Sequence, residues 1–129
     1  MGKEVEFVAV GGGRVGGRWN YALMAEMVEK KVKETISKNL EEAKRIAAST
    51  AKGARVKLHL KKDLIQKIAE SGKSGKQPSY GAQLFRVKEA IKQHLKLKAR
   101  REGEEIVLRL TPSDVQRYLN EIEEEREEE

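Results

Sequence analysis

Residues 55–69 read RVKLHLKKDLIQKIA, and the pattern of apolar residues changes partway through this segment. In the first half every second residue is apolar, which is typical of a β-strand with one buried and one exposed face. From Lys62 onward the apolar residues fall three and four positions apart, as on an amphipathic helix. The segment predicts a strand at Arg55–Lys61 that leads directly into a helix at Lys62–Ser71, so the domain combines sheet and helix.

Similar patterns on both sides predict the remaining elements. They are, in order, a strand at Glu4–Val10, a long helix at Asn20–Ala51, the strand and helix just described, a helix at Gly81–Arg100, a strand at Glu105–Leu110 and a last helix after Thr111. The order β-α-β-α-α-β-α predicts an α+β fold in which a small antiparallel or mixed sheet of about three strands packs with a long N-terminal helix and three shorter helices. Three strands leave two open edges, so we expect a homo-oligomer, such as a dimer that completes the sheet.

The composition excludes several classes of protein. The 129 residues are enough for one domain, and the absence of cysteine rules out disulfides and thiolate metal sites. No apolar run approaches the roughly 20 residues that cross a bilayer. The charged N-terminus is unlike a signal peptide. We therefore expect a cytoplasmic protein that does not bind membranes.

Charge is segregated along the chain. The sequence contains 27 Lys and Arg against 21 Asp and Glu, a net charge of +6. Residues 121–129 hold seven Glu and one Arg, a net of −6, which leaves +12 for residues 1–120. We therefore divide the chain into a basic α+β domain, 1–120, and an acidic tail, 121–129. High charge of both signs is typical of heat-adapted proteins, but its segregation favours a surface that attracts polyanions.

A glycine-rich segment holds the first group of candidate ligands. Residues 8–16 read VAVGGGRVG, and Gly11, Gly13 and Gly16 have the spacing of the Rossmann fingerprint, which this segment resembles. The resemblance implies a nucleotide or another small phosphate ligand held by backbone amides. The required acid at the end of a second strand is missing, so this function remains an alternative.

The same segment and the residues after it suggest contacts with nucleic acid. Guanidinium groups pair with phosphates, aromatic rings stack on bases, and glycine lets a loop follow a strand. The candidates are Arg14, Arg18, Trp19 and Tyr21. Trp19 and Tyr21 are equally well explained as core residues at the start of the long helix.

The outward residues of the predicted middle strand form the second group, which is Arg55, Lys57, His59 and Lys61. Such a stripe can follow phosphates, although lysines also protect exposed strand edges. The strand and its helix resemble the start of a ribbon-helix-helix DNA-binding module, in which paired strands read the major groove. The segment Gly72–Tyr80 is longer than the tight turn of that module, so operator-specific repression is the minority interpretation.

The third group lies in the predicted loop Ser71–Tyr80, which we expect to be mobile, and in the helix after it. Its members are Lys73, Lys76, Tyr80, Lys88, Lys92, Lys96, Arg100 and Arg101. Three of the lysines follow one another at four-residue steps and predict a basic ridge. Because Glu89 is the only acid between Arg86 and Arg101, this ridge is not a ladder of salt bridges.

Little in the sequence suggests catalysis or metal binding. Neither His59 nor His94 has a partner at ligand spacing, and no nucleophile motif is present. We predict a non-enzymatic protein without metal or cofactor that binds DNA or RNA chiefly through phosphates, with aromatic stacking on single strands as a further contact. The alternatives are a binder of nucleotides or other small phosphate ligands and a structural subunit of a larger assembly. The acidic tail is a solvated helix end, a competitor of nucleic acid for the basic surface, or a contact for other proteins.

Overall fold

The computed structural model describes residues 18–128, and over these residues the chain is an α+β domain, as the sequence predicts. The elements are α1 Tyr21–Ser37, α2 Leu40–Ala47, β1 Val56–Leu60, α3 Lys62–Gly72, α4 Tyr80–Ala90 with a π-helical turn at Ile91–Leu95, β2 Lys98–Glu102, β3 Glu105–Leu110 and α5 Pro112–Glu127. The strand predicted at Glu4–Val10 and the glycine loop lie outside the described residues.

The described sheet is antiparallel and has the strand order β1-β3-β2. Register pairing places Leu58 of β1 opposite Leu108 of β3, which in turn lies opposite Ala99 of β2. Since directly opposite residues project from the same face, the apolar residues of the three strands share one side. Helices α4 and α5 contact β3, so this apolar side faces the helical layer.

The helical layer depends on a close approach between α1 and the end of α3. Met24 of α1 is fully buried, and a side chain at Gly72 would lie 2.6 Å from its Sδ. The backbone N–H of Asn20 donates to the carbonyl of Gly72 over 2.8 Å. The Asn20 side chain also caps α1 by accepting from the N–H of Leu23. Glycine therefore fixes the distance at which the two helices pack.

The helix predicted at Asn20–Ala51 is two helices, which is a correction. Asn39 interrupts it because its side-chain amide donates to the carbonyl of Thr35 over 2.9 Å and competes with the helical hydrogen bonds. After this break α2 packs against α5 and buries Ala43. The apolar residues predicted to lie on one helix are therefore divided between two helices, and both of these helices contact α5.

The helix predicted at Gly81–Arg100 is also too long. It ends in the π-helical turn, Lys96 takes a left-handed conformation with φ 56°, and the chain continues as β2. Residues Lys98–Glu102 form a strand because they pair with β3, and such tertiary contacts override local helix propensity. Gly103, with φ 63°, lies in the turn of the β2–β3 hairpin. The described sheet thus has the predicted number of strands, but β2 is a strand that the sequence interpretation missed.

Candidate nucleic-acid interface

The side of the sheet away from the helices carries two cross-strand rows of mainly basic residues. In the first row Arg109 of β3 has Lys57 of β1 and Lys98 of β2 as its register partners. Residues paired in this way have Cβ atoms about 4.5–5.5 Å apart. In the second row Val107 lies between His59 and Arg100. We call the surface formed by Lys57, His59, Lys98, Arg100 and Arg109 the cationic sheet face.

Val107 shows that this face is polar at its surface. It lies at the centre of the face and is only 1% exposed. The two residues beside it in the register, His59 and Arg100, are both exposed. The face therefore offers no apolar patch of the kind that marks a protein-binding surface.

Acidic residues compensate only the second row. Nδ1 of His59 lies 3.0 Å from Oε1 of Glu105, and Nε of Arg100 lies 4.0 Å from Oε2 of Glu102. Both acids lie near the hairpin turn. The row of Lys57, Arg109 and Lys98 lies further along the strands, away from the hairpin turn and from these two acids.

No described ion pair involves a residue of this first row, when the salt bridges of residues 18–128 are considered. Like charges directly opposite each other in a sheet are destabilising. The row therefore costs stability, and an anion lying over it would remove that cost.

A cleft opens where the first row reaches the end of the sheet. Its volume is about 320 Å³, and it is lined by Ala51, Gly53, Ala54, Arg55, Lys98, Arg109, Thr111 and Pro112. We call it the Arg55–Lys98–Arg109 cleft after its three cationic residues. Nη1 of Arg55 donates to the carbonyl of Gly53 over 3.1 Å, which fixes one of its nitrogens at the rim.

The second predicted group is divided between these features. Lys57 and His59 belong to the cationic sheet face, whereas Arg55 lies in the cleft. Lys61 is exposed at the N-cap of α3. All four residues are exposed, and the structure adds Arg100 of the third group to the same face.

The predicted mobile loop is held by its own hydrogen bonds, and this changes the interpretation of Lys73. That lysine is only 7% exposed, and its ammonium donates to the carbonyl of Lys76 over 2.8 Å. The Gln77 amide donates to the Lys73 carbonyl over 2.7 Å and accepts from the Gln83 amide. Lys73 therefore orders the loop and is not a candidate ligand, whereas Lys76 is exposed.

Tyr80 is also structural. Its hydroxyl donates to the carbonyl of Glu104, and the Lys62 ammonium lies 5.1 Å from its ring centre. Burial raises the pKa of this phenol. Tyr80 thus ties the start of α4 to the hairpin turn, while its role as a nucleic-acid ligand stays a prediction.

Trp19 and Tyr21 pack against the hydrophobic core, which favours the alternative interpretation of both residues. The Arg86 guanidinium lies 5.9 Å from the ring centre of Trp19, and its Nη1 donates to the hydroxyl of Tyr21 over 2.6 Å. Arg18 is exposed beside them. The remaining candidates of this group, Arg14, Gly11, Gly13 and Gly16, lie outside the described residues.

The predicted basic ridge does not form one surface with the sheet. Lys88 is half-buried on α4 and Lys92 is exposed in the π-helical turn, both in the helical layer. Lys96 is exposed in the connection to β2. Arg101 projects to the helical side of the sheet, because its register partner is Ile106, and its Nε donates to the carbonyl of Gly103.

Lys98 and Arg109 complete the cationic sheet face. The sequence prediction counts Lys98 in the basic run of the predicted helix but not among the selected ligands, and it includes Arg109 in none of the groups. The alternation of β3 contained the signal for Arg109, since Leu108 and Leu110 on either side face inward. Lys98 was placed in a helix, which hid its position on the sheet. The first row becomes visible only when the register of all three strands is known.

No family model, curated protein or solved structure matches this chain. Among residues 18–128, no group of three or more acidic or histidine side chains is placed to hold a metal ion. None of the helices described there is long and apolar enough to cross a membrane.

Proposed function

We propose that this protein binds nucleic acid through the cationic sheet face and does so without catalysing a reaction. The observation that carries the proposal is the row of Lys57, Arg109 and Lys98, three cations side by side without a described acidic partner. The row destabilises the free protein. Binding a polyanion converts this repulsion into attraction.

The spacing of the face suits a ligand with many charges. The Cβ atoms of neighbouring cationic residues lie about 5 Å apart across the strands, and residues of the same face lie about 7 Å apart along a strand. A phosphodiester backbone therefore meets several of them at once. Because such contacts position the backbone without reading the bases, the proposal covers both DNA and RNA.

A heat-adapted surface is a weaker explanation of this face. Thermal stabilisation by charge relies on networks of opposite signs. Such pairs do occur elsewhere, as between Lys33 and both Glu121 and Glu125 at 3.2 and 2.6 Å. The row on the sheet has the opposite character, because it places like charges together.

The two other functional alternatives receive less support. The glycine loop lies outside the described residues, so a nucleotide site there stays a prediction. A structural subunit would be expected to present an apolar surface, whereas Val107 at the centre of this face is covered. We place the proposed binding in the cytoplasm. A homodimer remains part of the proposal, because β1 and β2 are edge strands of the described sheet.

A second binding mode uses the helical layer. Helices α3 and α4 pack against each other and precede a β-hairpin. A helix-turn-helix unit places its second helix in the major groove. Helix α4 exposes Phe85, and the π-helical turn after it exposes Lys92. This mode predicts that Lys92→Gln weakens binding to duplex DNA more than binding to single strands.

The test is an electrophoretic mobility panel of single- and double-stranded DNA and RNA at two salt concentrations. We expect a shift at low salt that weakens as salt rises, since each neutralised phosphate adds roughly 0.7–0.9 to the log–log slope. Failure to bind any of the four polynucleotides, or binding that does not depend on salt, would contradict the proposal.

A further inference from the structure

The Arg55–Lys98–Arg109 cleft differs from the open face that leads to it. Lys98 and Arg109 belong both to the cationic sheet face and to the cleft, whereas Arg55 enters from the loop before β1. The cleft is bounded by the residues before β1 on one side and by Thr111 and Pro112 on the other. A nucleic-acid strand that follows the first row of the face would therefore arrive at this partly enclosed cleft.

Arg109 has a hydrogen-bonding capacity that the protein does not use. Its Nε is buried and has no partner among the described residues. A buried donor left without an acceptor costs roughly 1–3 kcal/mol. Arg109 also lines the cleft, and a guanidinium group binds a phosphate in a paired, planar geometry.

The acid nearest in sequence to the cleft is already engaged. Asp114 accepts from the backbone N–H of Thr111 over 3.0 Å, and the Thr111 hydroxyl accepts from the N–H of Asp114 over 3.1 Å. This reciprocal pair caps α5. No described salt bridge joins an acid to Arg55, Lys98 or Arg109 within residues 18–128.

We propose that the cleft binds a terminal phosphate monoester, so that the protein prefers nucleic acid with a phosphorylated end. This inference rests on the proposed function, and it adds that the cleft at the end of the cationic sheet face binds the terminal phosphate of the nucleic acid. A phosphate monoester carries a charge of about −1.5 to −2 at neutral pH, whereas each phosphate of the backbone carries one. Three cations line the cleft and match the greater charge, and its partly enclosed shape suits the end of a nucleic-acid chain.

The experiment compares one oligonucleotide sequence with a 5′-phosphate, with a 3′-phosphate and with hydroxyl groups at both ends. Fluorescence anisotropy gives the three Kd values for the full chain. We expect one phosphorylated form to bind about tenfold more tightly than the hydroxyl form, as one additional charge-assisted contact would provide. Equal Kd values for all three forms would overturn the inference and leave the proposed function intact.

Variants assign the preference to the cleft. Arg109→Gln and, separately, Arg55→Gln should each bring the ratio of Kd values close to one. Arg55 is exposed, so its variant keeps the test valid if Arg109→Gln fails to fold. Lys38→Gln, which removes an exposed charge outside the cleft, should keep the ratio of the parent protein. If both cleft variants keep the Kd ratio of the parent protein, the phosphorylated end is recognised outside the cleft, and the inference is overturned.

Inorganic pyrophosphate distinguishes a polynucleotide end from a small phosphate compound. We expect it to compete with the phosphorylated oligonucleotide only weakly, because it cannot contact the cationic sheet face. Equal affinity for pyrophosphate and the phosphorylated oligonucleotide would overturn the preference for a chain end. A different outcome is that pyrophosphate stabilises the protein thermally, that Arg109→Gln abolishes this effect, and that no oligonucleotide binds. This outcome would contradict the proposed function but support a phosphate site in the cleft.

Discussion

Lys57 and Arg109 are direct register partners on β1 and β3, so two cations project side by side from one face of the sheet. Their Cβ atoms lie about 5 Å apart in this arrangement. Lys98 extends the row on the other side of Arg109. A fold selected for stability alone would alternate charges at these positions. The row therefore connects the register of the sheet to the proposed binding of phosphates.

The first prediction is that stability and binding change in opposite directions at Lys98. Lys98→Glu replaces a repulsion of Arg109 with an attraction across the strands and should raise the free energy of unfolding by about 0.2–1 kcal/mol. The same change should weaken binding to oligonucleotides, because it places a negative charge on the face. Urea denaturation and fluorescence anisotropy measure the two effects. Lys38→Glu is the matched control, and a less stable Lys98→Glu variant would contradict the account.

The second prediction concerns the hydroxyl of Tyr118. The residue is fully buried, and its hydroxyl makes no hydrogen bond of normal geometry among residues 18–128, although the Arg117 side chain lies close enough to interact with it. The Arg117 guanidinium lies over the ring, 4.7 Å from its centre. Because an unpartnered buried hydroxyl costs roughly 1–3 kcal/mol, Tyr118→Phe should raise the free energy of unfolding by about 1 kcal/mol. A clear loss of stability on denaturation would show that the hydroxyl has a stabilising partner.

The third prediction is a loss of stability at alkaline pH. Burial raises the pKa of Tyr118. Partial burial acts to lower the pKa of Lys33, but hydrogen bonds and attraction from Glu125 and Glu121 outweigh it and raise that pKa. A raised pKa in the folded state means that the folded protein keeps the proton after the unfolded chain has released it.

Neither group therefore lowers the stability below the unfolded pKa values of 10.0 for Tyr118 and 10.5 for Lys33, and stability is lost as pH rises through the folded pKa values. Thermal unfolding measured from neutral pH to above 10.5 should show a falling Tm. Tyr118→Phe should reduce the fall. An unchanged Tm across this range would contradict the assignment.

The fourth prediction tests the contact between α1 and α3. Gly72→Ala places a Cβ 2.6 Å from Sδ of Met24, whose side chain is fully buried. Overpacking of this kind costs typically 1–3 kcal/mol, so urea denaturation should show a loss of that size. Gly81→Ala is the control, because a Cβ there meets no atom within 4 Å. Equal effects at the two glycines would indicate that the close approach is not what Gly72 provides.

Some elements of the fold could be predicted because their signals are local. The alternation around Leu58 and Leu60 identifies β1, and Thr111 with Pro112 identifies the start of α5, whose capping hydrogen bonds the structure contains. β2 has no such signal, since its five residues KARRE contain one apolar side chain. It is a strand because β3 pairs with it.

The candidate site shows the same division. The outward position of Lys57 and His59 follows from the alternation of their own strand. Their alignment with Lys98, Arg100 and Arg109 depends on the register between strands, which short-range patterns do not contain. Lys73 illustrates the opposite error, because a lysine in a glycine-rich loop is typical of an exposed residue, yet its ammonium bonds to carbonyls of its own loop.

The most direct test of the account compares the salt dependence of binding for two triple variants. Lys57→Gln, Lys98→Gln and Arg100→Gln together remove three exposed cations from the cationic sheet face. The control combines Lys30→Gln, Lys38→Gln and Lys44→Gln, three exposed cations of the helical layer. We predict that the first variant lowers the log–log slope of affinity against salt by roughly 2–3, whereas the control keeps the slope of the parent protein. Equal slopes for the two variants would contradict the proposal that the sheet binds the phosphates.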